Sequence, residues 1–428
     1  MKISPARIAA FEILSKIEKE QAFSSELLPV YENGLAEKDR SLCHQLTLGV
    51  LRNKLKIDWL LDRFTGGKKM DTAVRISLRL GIYQLRFLDK VPDYSAINES
   101  VNLVQYAKKT SAKGFVNAVL RRATREQMIP KFVDEIERIS IETSHPRWLI
   151  EKWAARFGID EAEKLAVSNN DIPPTAFRIL PGTERQFDQA IPSENVEGCF
   201  IAGGDKSNLV AAAESGEIYF QDEGSQMVAA SVELKDGDRF LDLCAAPGSK
   251  FTQIALRTGL NLGLLTAGDL YSHRVRFLRE NCENQGLQNV NIIQYDAEAA
   301  IPFDDGVFDT VLNDAPCSGT GTIRHNPEIR YSLEPSDFAQ LGNKQLRLLH
   351  KASKLVRPGG NLIYSTCSLE SEENEQVCEG FLESALEFSN RKPNVPDRFI
   401  DDDGFGRTLP FRDNMDGFFI ASFVKTKA

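Results

Sequence analysis

Two thiols and a carboxylate have the types and spacing to do chemistry. Asn313-Asp314-Ala315-Pro316-Cys317-Ser318-Gly319-Thr320-Gly321 sets an acid and a thiol three positions apart, on a stretch stiffened by Pro316 and loosened by Gly319 and Gly321. Further along, Thr366-Cys367-Ser368 sets a second thiol among small polar residues. A free cysteine is usually a small buried hydrophobe, so either thiol alone says little. As a pair they point to covalent catalysis, because a thiolate is strongly nucleophilic near neutral pH. A carboxyl group beside them can stabilise charge that builds up in a substrate.

Both sites must be delivered by strands. Phe308–Asp314 is a short run of β-formers, and Asn361–Thr366 is another, so the acid and both thiols stand at carboxyl ends of strands. In open α/β sheets that edge is where ligands bind. The same rhythm begins at Asp238: strand Arg239–Leu243, helix from Ser249 to about Thr258, strand Leu264–Asp269, helix Ser272–Gln285 and strand Asn289–Asp296. After Phe308–Asp314 come a helix over Phe338–Val356 stopped by Pro358-Gly359-Gly360, the Cys367 strand, a helix over Glu370–Glu387 and a closing strand over Gly417–Val424. This predicts a doubly wound α/β domain with a parallel sheet.

The small residues Cys244-Ala245-Ala246-Pro247-Gly248-Ser249-Lys250 after the first strand let a ligand approach the backbone. Asp269 ends the next strand about twenty positions on, where nucleoside-binding folds hold ribose hydroxyls. Asp296 ends the third, at the same edge. Singly, each acid is as readily a helix cap; repeated, they predict a nucleoside cofactor. The turn lacks the glycine pattern of a dinucleotide site and of a P-loop, which leaves S-adenosylmethionine.

Upstream, residues 5–20, Ser41–Phe64, Asp71–Leu88, Tyr94–Ala107 and Gly114–Thr124 carry helical periodicity, and no strand pattern intervenes. An all-helical bundle is expected over 1–142, a linker with a small α+β module over 143–222, and the α/β domain over 223–428. The first 150 residues hold 25 Lys and Arg against 18 Asp and Glu, net +7, and the rest 27 against 43, net −16. A basic head on an acidic body fits a polyanion gripped by the head, with Lys68-Lys69, Lys108-Lys109-Lys113 and Arg121-Arg122-Arg125 as its phosphate footprint; a solvated helical face explains the same charges. Seven cysteines without CxxC spacing argue against a disulfide framework and a zinc ribbon, and suit a reducing cytoplasm. No metal is expected. No run of 18 apolar residues appears, so no membrane span is expected, and the charged start is unlike a signal peptide.

Four stretches together, Cys244–Lys250, Asp314–Gly321, Ser365–Ser368 and Asp416-Gly417-Phe418-Phe419, closely resemble the Sun/Nop family of RNA cytosine-5 methyltransferases. Gln221–Gln226 is similar to that family's lead-in. Phe115–Arg122 makes the head resemble a NusB-type RNA-binding domain, which is fused to this catalytic unit in a branch acting on 16S ribosomal RNA. The resemblance spans nearly the whole chain. It implies methylation of cytosine C5, with Cys244, Ala245, Ala246, Pro247, Gly248, Ser249, Lys250, Asp269, Arg274, Asp296 and Asp314 binding S-adenosylmethionine. Ser249 and Asn313 depart from it, standing where glycine and an aliphatic residue are commoner.

Cytosine C5 is a poor nucleophile, and a thiolate added to C6 makes it an enamine carbon able to take a methyl group. Asp314 is placed to steady the ring at N3. A Pro-Cys pair serves as nucleophile in DNA cytosine methyltransferases, which would favour Cys317. The Sun/Nop resemblance implies the reverse, with Cys367 attacking and Cys317 assisting release. Lys250 could orient the base or Asp314; equally, it could be a surface lysine opening a helix. Glu373-Asn374-Glu375 read as the start of a helix, Arg324-His325 as a possible phosphate contact, His145 as a turn residue, and Cys43, Cys199, Cys282 and Cys378 as packing. The expected substrate is 16S ribosomal RNA and the expected state a monomer. Transfer RNA as substrate, or a non-catalytic RNA-binding factor, are the alternatives. An amino-directed methyltransferase would carry an aromatic residue where Cys317 stands.

Overall fold

The computed structural model describes residues 3–426 apart from 205, 258, 259 and 300, so the expected helix end at Thr258 lies outside the described residues. The chain forms two compact units, Met1–Asp171 with Ile323–Leu333, and Ile172–Thr322 with Glu334–Ala428.

The first unit is helical among its described residues. Pro5 opens the helix Pro5–Glu20, where its missing N–H costs nothing. Asp71 caps Thr72–Phe87 by accepting from Ala73 N at 2.9 Å. The single helix expected over Ser41–Phe64 is two, Glu37–Arg52 and Lys54–Thr65. Asn53, at φ −114° and ψ 17°, leaves the helical region and donates its side-chain amide to Gly49 O. The apolar phase runs on across this break, so periodicity hides it. Helices Ser24–Glu32, Glu135–Thr143 and Ile159–Ser168 were also not anticipated. The core gathers Phe11, Ile13, Leu46, Ile57, Leu78, Leu103 and Leu120.

Ile323–Leu333 is part of this unit. Arg330 is fully buried and donates to Thr143 O, Asn169 O and Asn170 Oδ1. His145, expected in a turn, is buried in the same cluster, its Nδ1 3.0 Å from Thr143 Oγ1 and its Nε2 3.3 Å from Asn169 Nδ2. Arg324 is buried too, which corrects the expectation that it meets a phosphate.

The second unit holds two sheets. The smaller, from β1 (Ala176–Ile179), β2 (Ala190–Pro192), β3 (Cys199–Ala202) and β4 (Ile218–Phe220), is antiparallel in the order β2-β3-β1-β4, and Ser207–Glu214 is helical. With that helix it forms the expected α+β module. The larger sheet uses β5 (Arg239–Asp242), β6 (Leu264–Asp269), β7 (Asn291–Gln294), β8 (Phe308–Asp314), β9 (Val356–Thr366), β10 (Phe388–Arg391), β11 (Gly406–Arg407) and β12 (Phe419–Lys425). Its order is β10-β12-β9-β8-β5-β6-β7, with β11 beside β12. The five strands from β9 to β7 are parallel, as expected. β12 runs antiparallel to β9, and β10 and β11 each pair antiparallel with β12, so the sheet is mixed. Pro358-Gly359-Gly360 do not stop a helix in a loop: the helix Pro335–Leu355 passes straight into β9, which contains them. The register with β8 slips there, between Phe308 and Thr310, so β9 absorbs extra residues as a bulge. No helix among the described residues is long and apolar enough to cross a membrane.

Candidate active site

The order of the large sheet reverses direction between β5 and β8, since β6 and β7 lie on one side and β9 on the other. A crevice opens at such a switch point, outside the carboxyl ends of the strands. Those ends carry Asp242, Asp269, Asp314 and Thr366.

β8 and β9 pair Asp314 opposite Ser365, so Cys317 and Cys367 leave neighbouring strands almost level. Their sulfurs are 3.3 Å apart and both cysteines are free. The hydrogen bond between them and then burial push the Cys317 thiol well up. The other four cysteines assigned to packing, Cys43, Cys199, Cys282 and Cys378, are buried.

Asp314 is held from two sides. Lys250 Nζ donates to Oδ2 at 2.6 Å and Ser365 Oγ to Oδ1 at 2.7 Å. Burial opposes the Lys250 charge, but Asp314 outweighs it, and the ammonium's affinity for its proton rises. The ammonium also sits 5.2 Å from the centre of the Phe418 ring. Lys250 is therefore a largely covered partner of Asp314 and not an exposed surface lysine.

The loops around the sulfurs need two close backbone approaches. Gly417 N donates to Gly321 O at 2.8 Å, and a Cβ on Gly321 would lie 2.1 Å from Gly417 O. Gly248 has φ +105°, and a Cβ there would strike Leu278. Around Gly248, the loop Cys244–Lys250 lies over the neighbouring strand: Ala245 N donates to Gly268 O at 2.8 Å. Asp269, buried at the end of β6, accepts from Ala246 N and Tyr271 N. Arg274 donates to Ala246 O at 2.6 Å and stands 3.5 Å from Asp269. Asp296 lies two residues past β7, exposed, accepting from Glu298 N as a turn cap does. The side chain of Cys244 packs against the core beside the sheet.

Whether these residues suit a nucleoside cofactor can be judged from the donors and acceptors themselves. Asp242 is fully buried, and its Oδ1 has no hydrogen-bond partner. Burial, then Asp314, push its carboxyl far above the usual range. A row of strand-end carboxylates beside a glycine turn suits hydroxyl and amino groups of a ligand, so the set fits.

Sequence reasoning passed over the residues that hold the cysteines. Glu373 accepts from Ser318 N, Ser318 Oγ, Ser368 Oγ and Gln345 Nε2. Asn374, with φ −118° and ψ −92°, accepts from Thr366 Oγ1 and donates to Ser368 O. Both are buried: Glu373 ends a short 3-10 turn, Ser371–Glu373, and Asn374 separates it from the helix Glu375–Ser384, so they are not the start of a continuous helix. A run of acids reads as a solvated face; the only local signal was the asparagine among them, a poor choice for a helix interior.

Comparison with known proteins agrees with this geometry. Residues 229–424 match the family described as 16S rRNA methyltransferase RsmB/F, and residues 4–125 match the NusB family. The chain is 35% identical to the probable ribosomal RNA small subunit methyltransferase B of Bacillus subtilis (strain 168), over 99% of this chain and 100% of that one. It is 32% identical to ribosomal RNA small subunit methyltransferase B of Pseudomonas putida, over 99% of both. The crystal structure of PH0851 superposes with a TM-score of 0.82 at 26% identity, over 99% of this chain and 100% of that chain.

Proposed function

From the premise that the chain belongs to the RsmB/F family of 16S rRNA methyltransferases, we propose that it methylates C5 of a cytosine in 16S ribosomal RNA through a covalent adduct on Cys367. The observation that carries this reading is the pair of sulfurs 3.3 Å apart, beside a carboxylate that is itself paired to a lysine.

S-adenosylmethionine would be held by Cys244–Lys250, Asp269, Arg274, Asp296 and Asp314, and when bound it supplies a methyl group on an electrophilic sulfonium. The chain's residues do the rest. Cys367 attacks C6, the role the family resemblance implies for it, with the Cys317 sulfur 3.3 Å away. Asp314, held by Lys250 and Ser365, must carry a proton to the ring N3 as charge spreads onto it, and Lys250 pairs with the carboxylate left behind. Once Cys367 is bonded to carbon its sulfur is uncharged, and Cys317, no longer facing a thiolate, gives its proton to solvent. Cys317 then serves as base for the C5 proton: the C5–H bond breaks, its electrons form the C5–C6 double bond, and Cys367 leaves as a thiolate. The base must be out of its stack to reach both sulfurs, which favours a loop or an opened helix. The NusB-like head grips the flanking phosphates.

The test mutates each cysteine alone, with RNA and cofactor present. Cys317→Ala should accumulate a protein–RNA adduct, and Cys367→Ala should form none. An adduct in Cys367→Ala but not in Cys317→Ala overturns the assignment. Bisulfite mapping of ribosomal and transfer RNA, with and without the gene, tests the substrate.

A further inference from the structure

The Glu373 carboxylate is fully buried, and the chemistry above does not use it. Its four hydrogen bonds have a pattern. Oε1 accepts from Ser318 N at 2.8 Å and Gln345 Nε2 at 2.9 Å; Oε2 accepts from Ser318 Oγ and Ser368 Oγ, both at 2.5 Å. Ser318 follows Cys317 and Ser368 follows Cys367. One side chain therefore grips the residue after each sulfur. Gln345 also donates to Pro316 O at 3.0 Å, just before Cys317. Tyr364, on β9, fixes the clamp from below by donating to Glu373 O at 2.5 Å.

A carboxylate accepting four bonds holds both loops more firmly than neutral partners would. Other contacts join the loops, such as Gly321 N to Cys367 O at 2.9 Å and Leu369 N to Thr320 Oγ1 at 2.9 Å. The first reaches Cys367 itself, and Ser318 Oγ also lies 3.1 Å from Ser368 Oγ; Glu373 is the charged acceptor that binds both serines at once.

We propose that Glu373 is a positioning residue that fixes the Cys317 sulfur against the Cys367 sulfur and thereby sets the rate of adduct release. The inference rests on the cysteine roles proposed above. Attack needs one sulfur and an oriented base. Release needs the second sulfur at C5 while the first is bonded at C6, so it alone depends on the distance between the two loops. Loosening the clamp should slow release far more than attack.

The experiment measures adduct and methylated product in parallel, with full-length protein, a 16S RNA fragment and S-adenosylmethionine. Glu373→Ala should form adduct readily but release it roughly a hundredfold more slowly, since displacement by about 1 Å costs that much in an oriented reaction. Adduct should accumulate as it does in Cys317→Ala. A general packing defect would lower adduct and product together, and that result, or release at the wild-type rate, overturns the proposal. Cys317→Ala is the internal control: if it accumulates no adduct, the cysteine assignment itself fails, whatever Glu373 does. If Glu373→Ala shows no cooperative melting, Glu373→Gln replaces it, keeping the shape without the charge. Its release should be slower by about tenfold, in line with the loss of charge assistance; unchanged release in Glu373→Gln overturns the proposal equally.

Discussion

Replacing Lys250 by methionine removes one charge while keeping most of the side chain. The Lys250 side chain is 11% exposed and that of Asp314 26%, and their 2.6 Å hydrogen bond is charge-assisted. A hydrogen bond to a charged group contributes about 1.5–3 kcal/mol. If that is spent on orienting Asp314, methyl transfer should slow roughly 10- to 150-fold, at about 1.4 kcal/mol per decade. Ser365 still holds the other oxygen, so the loss should fall short of that for Cys367→Ala. The assay is single-turnover transfer of labelled methyl to a 16S fragment with enzyme in excess, and calorimetry separates any change in cofactor affinity. Transfer within about twofold of wild type at saturating cofactor would refute the reasoning, because Lys250 would then bind cofactor without orienting the base's partner.

Three further outcomes are expected. Asn313 is fully buried and neither amide atom has a partner, so Asn313→Val should stabilise the fold by about 1–3 kcal/mol; a lower melting temperature would contradict this. His145 is kept neutral well below its usual pKa, first by burial and then by Arg330. The unfolded chain binds that proton near pH 6.5, so His145 should make stability fall by about 1.4 kcal/mol per pH unit as pH drops below about 6.5. Denaturant titrations should show a shallower acid slope in His145→Gln; an identical slope removes His145 as the cause. RNA affinity should drop steeply between about 50 and 200 mM salt, and Lys68→Glu with Lys69→Glu, both lysines exposed, should flatten that dependence. Parallel salt curves would exclude this pair from the phosphate footprint.

The sequence alone settled what local rules govern. Strands Leu264–Asp269 and Phe308–Asp314 were readable to the residue, because β-formers bounded by turn residues leave little choice. The placing of Asp269, Asp314 and Cys367 at or just past strand ends followed directly. Helix boundaries that depend on one backbone angle did not follow: Asn53 divides a continuous apolar pattern, and the glycines after Leu355 look like a stop while lying inside β9. Only the fold decided that β8 lies between β5 and β9. That order brings Lys250 to Asp314 across 64 positions and the two sulfurs together across 50. It also makes an acid in an ordinary-looking charged run, Glu373, the tie between both loops. Such pairings depend on strand order and on which buried donors need an acceptor, and neither leaves a periodic trace along the chain.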